Sequence, residues 1–189
     1  MVRQLLILRH AKSAWDTDAA SDFDRPLAKR GQKDLPLMGA WMREHKLIPE
    51  CVISSPAERA KQTTLGICHA LSIKEKKIYW DRRIYGADTE ELLEVLSELP
   101  GKVAVAMLVG HNPGLESLAS HLVGDLSRKA APFSASGSAA GGGDWGDYGI
   151  VKTATLVHLK TEEEWNSLKP QCATLIQIKY PRTLAPPAP

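Results

Sequence analysis

Three cysteines, Cys51, Cys68 and Cys172, are all that the 189 residues contain, and no two of them form a C-x-x-C pair. An odd and widely spaced set excludes a disulfide framework and a thiolate zinc site; it suits small buried hydrophobes in a reducing compartment. Membrane-length apolar stretches are missing as well. The run near the N-terminus, Leu5 to Leu8, is too short for a signal-peptide core or a spanning helix, so a cytoplasmic protein without membrane association is expected. Charge of one sign is not in excess either. Twenty-four basic residues stand against 22 acidic ones, and the net charge of +2 removes any general argument for nucleic acid or an anionic surface as partner. Any cationic patch must be local. No internal repeat and no acidic metal cluster is evident, and neither a metal nor an organic cofactor is expected.

What is present is ordinary for a globular domain: 43% apolar and 24% charged residues, in a chain of a length that suits one domain. Residues 4 to 8 read as a buried strand that opens into a loop at Arg9-His10. Leu35, Met38, Trp41 and Met42 fall on one helical stripe within Lys29 to Lys46, where Pro36 implies a start nearer Asp34 or a local kink. CVISS (51 to 55) is a second strand, and Ser55-Pro56 reads as an N-cap followed by proline, opening a helix from Ala57 to about Leu71. KKIYW (76 to 80) is a third strand, and Asp88 to Glu91 lead an amphipathic helix. Val103 to Val109 is a central strand that turns at His111-Asn112-Pro113-Gly114 into a helix from Leu115 to Val123. Ile150 to Leu159 and Ala173 to Lys179 close the domain, with an acidic helical segment around Thr161 to Leu168 between them.

Strands alternating with helices at this spacing predict an α/β fold, a three-layer sandwich with a mostly parallel central sheet flanked by helices. Residues 1–180 are expected to form a single domain, with a flexible Gly-rich loop at 134–149 and a disordered tail at 181–189. The Gly-rich loop lacks the strand–GxxxxGK[ST]–helix context of a nucleotide site. Trp15, Trp41, Trp80 and Trp165 are expected to pack in the core.

In open α/β sheets, ligands bind beyond the carboxyl ends of the strands. Here one strand ends in Arg9-His10, a second leads to Arg59 in the first turn of the next helix, and a third ends in Gly110-His111-Asn112. Two arginines and two histidines on one rim suit a dianionic phosphoryl group, with guanidinium forks to orient its oxygens and an imidazole as nucleophile.

LLILRHAKSAWD resembles the first signature of the histidine phosphatase (phosphoglycerate mutase-like) superfamily. VISSPAERAKQTT is similar to its second and LVGHNPGL to its third, with DRPLAKRGQ resembling the segment before the first helix. Order, spacing and short length are most similar to the SixA-like phosphohistidine phosphatases, over roughly residues 3 to 125. The resemblance implies a phosphoglycerate mutase-like fold, His10 as nucleophile, Arg9 and Arg59 as phosphate clamps, and His111 as a further donor. The physics agrees, since neighbouring guanidinium groups disfavour imidazolium and so keep His10 able to attack. Lys12, Ser13, Arg25 and Asn112 are secondary substrate-binding candidates. Ala11 stands where the family has Gly, which implies that the backbone there needs no positive φ. Asp16 replaces an Asn that touches phosphate in many relatives.

Larger relatives supply a general acid from an inserted lid, and this chain has no long insertion between Trp80 and Thr89. Asp88, Glu90 and Glu91 are the nearest carboxylates in sequence, and they read as helix N-terminal charge. A phosphoramidate leaves more easily than an alkyl ester, so a short enzyme without an acid lid suits phosphohistidine on a protein. The expectation is therefore a metal-independent, monomeric phosphohistidine phosphatase working through phospho-His10. The alternatives are a phosphomonoesterase acting on a small phosphate ester, or a weakly active member that binds phosphorylated partners.

Overall fold

The structure, a computed structural model, describes residues 1–133 and 149–184. Among the described residues six strands, β1 (Arg3–Arg9), β2 (Cys51–Ser54), β3 (Ile78–Trp80), β4 (Val105–Gly110), β5 (Leu156–Thr161) and β6 (Ala173–Lys179), form one sheet in the order β3-β2-β4-β1-β5-β6. The first four run parallel to one another, and β5 alone is antiparallel to its neighbours β1 and β6. The two faces are covered by the helices α1 (Lys29–Glu44), α2 (Glu58–Ala70), α3 (Thr89–Ser97), α4 (Gly114–Val123) and α5 (Leu126–Ala130). The expected three-layer, mostly parallel α/β architecture is what forms. Among the described residues, no helix is long and apolar enough to cross a membrane.

The near-continuous apolar runs of β1 and β4 follow from their central places, where both faces are buried. Side chains alternate between faces along a strand. Leu6 and Leu8 accordingly join Met38 and Met42 of α1 and Ile67 of α2 on one side. Leu5 and Ile7 join Leu92 and Leu96 of α3 and Leu115 and Leu118 of α4 on the other. Cys51 and Cys68 are buried in these layers, and burial pushes both thiols up to about 11, so neither is a reactive thiolate.

Several boundaries differ from the sequence reading. Helix α1 starts at Lys29 and keeps Pro36 in its interior. Helix α2 starts at Glu58, not directly after Ser55-Pro56, because Ala57, at φ −56° and ψ 137°, is not yet helical; the Ser55 hydroxyl still accepts from the Ala57 N–H at 3.3 Å. The acidic segment after β5 contains only a single 3₁₀ turn, Trp165–Ser167, anchored where the buried Trp165 indole donates to the Val103 carbonyl at 2.9 Å. Strand β5 begins at Leu156 and not at Ile150, because the backbone of 150–154 is bonded to side chains and loops instead of a neighbouring strand. Pro181–Thr183, placed by the sequence reading in a disordered tail, form a 3₁₀ turn in which Pro181 is buried. The Gly-rich loop, but for Gly149, and residues 185–189 lie outside the described residues. Trp41 and Trp165 are buried as expected, but Trp15 is 67% and Trp80 42% exposed.

The loop from His10 to Ala28 is pinned at its base by a short antiparallel contact. Ala14 N–H donates to the Pro26 carbonyl at 2.9 Å and Ala28 N–H to the Lys12 carbonyl at 2.8 Å. Gly31 in the first turn of α1 lies against this loop so closely that a Cβ there would meet the Lys12 carbonyl oxygen at 2.3 Å. Neither backbone can yield without moving the other. Gly31→Ala is expected to lower the unfolding free energy by about 1–3 kcal/mol, the usual range for overpacking. Urea denaturation would measure it, and a change near zero would show that helix and loop slide apart freely.

Candidate active site

Parallel register brings the ends of three strands to one level. Arg9 pairs with Gly110 and Ser54 with Val109, and the ladder runs one residue further. His10 N–H donates to the Gly110 carbonyl and Ser55 N–H to the Val109 carbonyl, both at 3.0 Å. His10, Ser55 and His111 thus leave the sheet side by side. Arg59 enters from the first turn of α2, fixed by Thr63, whose hydroxyl donates to the Arg59 carbonyl at 2.6 Å and accepts from the Ala11 N–H at 3.0 Å.

His10 is 7% exposed. Its Nδ1 lies 2.8 Å from the Ala11 carbonyl oxygen; a carbonyl only accepts, so Nδ1 carries the ring proton and Nε2 keeps a lone pair. Arg59 Nε–H points at that Nε2, at 3.3 Å. His111 stands with its ring centroid 5.0 Å from that of His10 and shares a 2.9 Å hydrogen bond between its Nε2 and the Ser55 hydroxyl. Its Nδ1 is buried without a hydrogen-bond partner among the described residues, an orphan that a ligand oxygen would satisfy. Arg9, also buried, is aimed by an Nη1–H···O bond to the Val151 carbonyl at 2.9 Å. Ala11 is fully buried and is not among the residues with positive φ, which is why alanine is accommodated there.

Both imidazoles are held neutral. Burial lowers the His10 pKa well below its ordinary value, aided by His111, Arg59 and Arg9 and opposed by the Ala11 carbonyl. Burial likewise pushes His111 down to about 3, with Arg59 and Arg9 contributing and Asp22 opposing. Of the sequence-predicted residues, His10, Arg9, Arg59 and His111 come together.

The secondary candidates divide. Ser13 accepts from Arg25 Nη2 at 3.0 Å, and the Arg25 guanidinium lies flat on Trp15, 3.7 Å from the ring centroid. Lys12 is half-buried, its carbonyl held by Ala28. The Asn112 amide donates through Nδ2 to the Val151 carbonyl at 2.9 Å, the acceptor it shares with Arg9, and to Glu116 Oε2 at 3.2 Å. The same Glu116 oxygen accepts the N–H groups of Ile150 and Val151 at 3.0 Å each. Asp88 and Glu91 form a reciprocal capping box at α3, the bland role expected of them.

One residue of the site was not found in the sequence. Asp22, on the loop before α1, accepts from Arg59 Nη2 at 2.9 Å and from the Tyr85 hydroxyl at 2.8 Å through Oδ2, and its Oδ1 lies 3.0 Å from Arg25 Nε. Its carbonyl also accepts from Arg59 Nη1. Partial burial raises the Asp22 carboxyl pKa, but the bonds from Tyr85 and Arg59 and the charges of Arg59 and Arg25 outweigh it, so the net direction is down. Tyr85 in turn stands edge-on to His111, with centroids 5.3 Å apart. The signal available in the sequence was the i,i+3 spacing of Asp22 and Arg25, which is common on any solvated loop.

Residues 5–83 match the family model of the histidine phosphatase superfamily (branch 1). The chain is 30% identical over 130 residues to the phosphohistidine phosphatase SixA of Escherichia coli, covering 68% of this chain and 77% of that protein. An uncharacterized protein of Mycobacterium tuberculosis is 31% identical over 175 residues, covering 93% of this chain and all of that one. Among solved structures, a protein provisionally assigned as phosphohistidine phosphatase SixA from Nakamurella multipartitia superposes with a TM-score of 0.73 at 26% identity, over 96% of this chain and 97% of that one.

The depressed histidines make stability depend on pH. A histidine that stays neutral in the fold but protonates when unfolded favours unfolding as pH falls below the unfolded value, near 6.5. Stability is therefore expected to decline from about pH 6.5 downward, with the His111 share exhausted only near its folded value of about 3. Ring signals of His10 and His111 in nitrogen-15 spectra should stay in the neutral form between pH 5 and 8. Titration of either ring near 6.5 would contradict the buried, cation-flanked geometry.

Proposed function

Because the chain belongs to the histidine phosphatase superfamily and is SixA-like, we propose that it is a metal-independent phosphatase that hydrolyses phosphohistidine on proteins through a phospho-His10 intermediate. The observation that carries this reading is the Nδ1–H···O bond from His10 to Ala11, which fixes the tautomer and leaves the Nε2 lone pair facing the cationic rim. In the first transfer His10 Nε2 bonds to phosphorus as the P–N bond of the substrate breaks. Arg9 and Arg59 balance the charge on the equatorial oxygens, and His111 Nδ1, its other nitrogen shared with Ser55, donates to one of them. In the second transfer water attacks phosphorus, the P–Nε2 bond breaks and His10 returns to its starting tautomer.

Phosphohistidine as substrate is supported by the shape of the rim and by the relatives. Between β3 and α3 the chain makes only a single 3₁₀ turn, Arg82–Ile84, before the capping box, so this crossing raises no lid of its own against a side chain presented by a folded protein. The E. coli relative is a phosphohistidine phosphatase, and the same activity here gives the likeness its simplest account.

Single-turnover quench with a ³²P-phosphohistidine peptide tests the reading. Wild type should acquire an acid-labile, base-stable label that decays as phosphate appears. His10→Ala should carry none, and its turnover should fall by at least about 10³-fold, as when a nucleophile is removed. Faster turnover of sugar phosphates than of phosphohistidine in the same assay would favour a small-metabolite substrate. Label without release would favour a phospho-partner-binding protein.

A further inference from the structure

We propose that Asp22 is the proton carrier of this site, donating to the leaving group in the first transfer and accepting a proton from water in the second. The proposal rests on the phosphoryl-transfer reading above and supplies the acid that the sequence lacks a lid to provide.

Placement is the first argument. Asp22 and His10 occupy the two ends of a single guanidinium, with Arg59 Nε on His10 Nε2 and both terminal nitrogens on Asp22. A phosphoryl group attacked by His10 and held on Arg59 directs its leaving atom away from Nε2. The carboxylate at the far end of the guanidinium is the group that waits there. Access is the second argument. The Asp22 side chain is 52% exposed, so it can exchange protons with water and meet an incoming side chain, whereas His10 and His111 are buried and neutral. Asp88 and Glu91 at the start of α3 are committed to each other's backbone, Asp81 to Arg83, and Glu116 to the 150–151 backbone.

The protonation state follows from what faces the carboxyl. Arg59 and Arg25 flank it, Tyr85 donates to it, and the neutral rings of His10 and His111 lie across the rim. Asp24, nearby on its own loop, is held by the Ser21 hydroxyl, and Arg82 lies over Phe23, 4.8 Å from its ring centroid. Without substrate the two guanidinium groups keep Asp22 ionised. A bound phosphoryl dianion draws on the same cations and places negative charge beside the carboxylate, which favours its uptake of a proton from solvent.

The cycle then balances. Asp22 passes that proton to the leaving nitrogen as the substrate's P–N bond breaks and the P–Nε2 bond to His10 forms. The resulting carboxylate takes a proton from water as the water oxygen bonds to phosphorus and the P–Nε2 bond breaks. The same residue thus acts as acid and then as base on the same face, as microscopic reversibility requires.

Two aryl phosphates differing in leaving group test this in the full-length protein. Nitrophenolate departs without a proton and phenolate does not. Asp22→Asn should give a burst of nitrophenolate stoichiometric with enzyme from p-nitrophenyl phosphate, then slow turnover with phospho-His10 accumulating. On phenyl phosphate it should show no burst and a rate lower by about 10²–10⁴-fold, the usual worth of acid–base catalysis. Asp22→Glu, which still carries a proton, should recover part of the phenyl phosphate rate. Equal losses on both esters without a burst, or no loss on either, would overturn the proposal and leave Asp22 as an orienter of Arg59 or a bystander. A wild type that hydrolyses aryl phosphates through His10 but spares phosphohistidine would refute the substrate reading alone, and the burst comparison would still decide the role of Asp22.

Discussion

The guanidinium of Arg59 is the contact on which the site depends. It points one nitrogen at the lone pair of His10 and gives its other two to Asp22. Its own backbone is tied through the Thr63 hydroxyl to the N–H of Ala11, the residue whose carbonyl fixes the His10 tautomer. A cation this deeply buried, 6% exposed, is tolerable only when its donors are satisfied and an anion is near. Asp22 meets that need here, and a phosphoryl group can meet it once bound. The same charge that readies the site for phosphate adds to burial, the larger cause, in keeping both imidazoles unprotonated.

Much of this was legible in the sequence, because strand ends in a parallel sheet converge by topology and the residues at those ends were unusual. Arg9-His10, Arg59 and His111 could be brought together without coordinates, since the central strands were apolar enough to be recognised and their ends fall at one level. Asp22 could not be found in this way. It lies on a loop held by two backbone bonds at its base, and nothing in local periodicity says where the tip of such a loop folds. Trp15 misled for a related reason. Its indole is a platform for Arg25 and stands in solvent, a use that hydrophobicity alone does not distinguish from core packing. Ser55 had the local pattern of a helix cap, and its hydroxyl serves two partners, accepting from the Ala57 N–H at 3.3 Å and sharing a 2.9 Å hydrogen bond with His111.

The strand expected from Ile150 fails for the same kind of reason. The N–H groups of Ile150 and Val151 are taken by Glu116, the Val151 carbonyl by Arg9 and Asn112, and the Ala154 N–H by the His10 carbonyl. Six residues that read as a sheet edge are instead a bracket around the rim, with every one of these bonds reaching a residue more than 30 positions away in sequence. Long-range polar contacts of this kind leave no local signature, and they are what convert a generic α/β rim into a site with fixed directions.

That bracket has a bearing on where the functional unit ends. The residues carrying charge and nucleophile lie between positions 9 and 111, and the family model matches 5–83, which invites a minimal fragment that stops after α5. Such a fragment would keep every charged group of the rim and yet lose the Val151 carbonyl that aims Arg9 and the two N–H groups that hold Glu116 in place. The last third of the chain is therefore the jig that sets the tool, and the site is a property of the closed loop of sequence from β1 to β5 and not of the motifs that announce it.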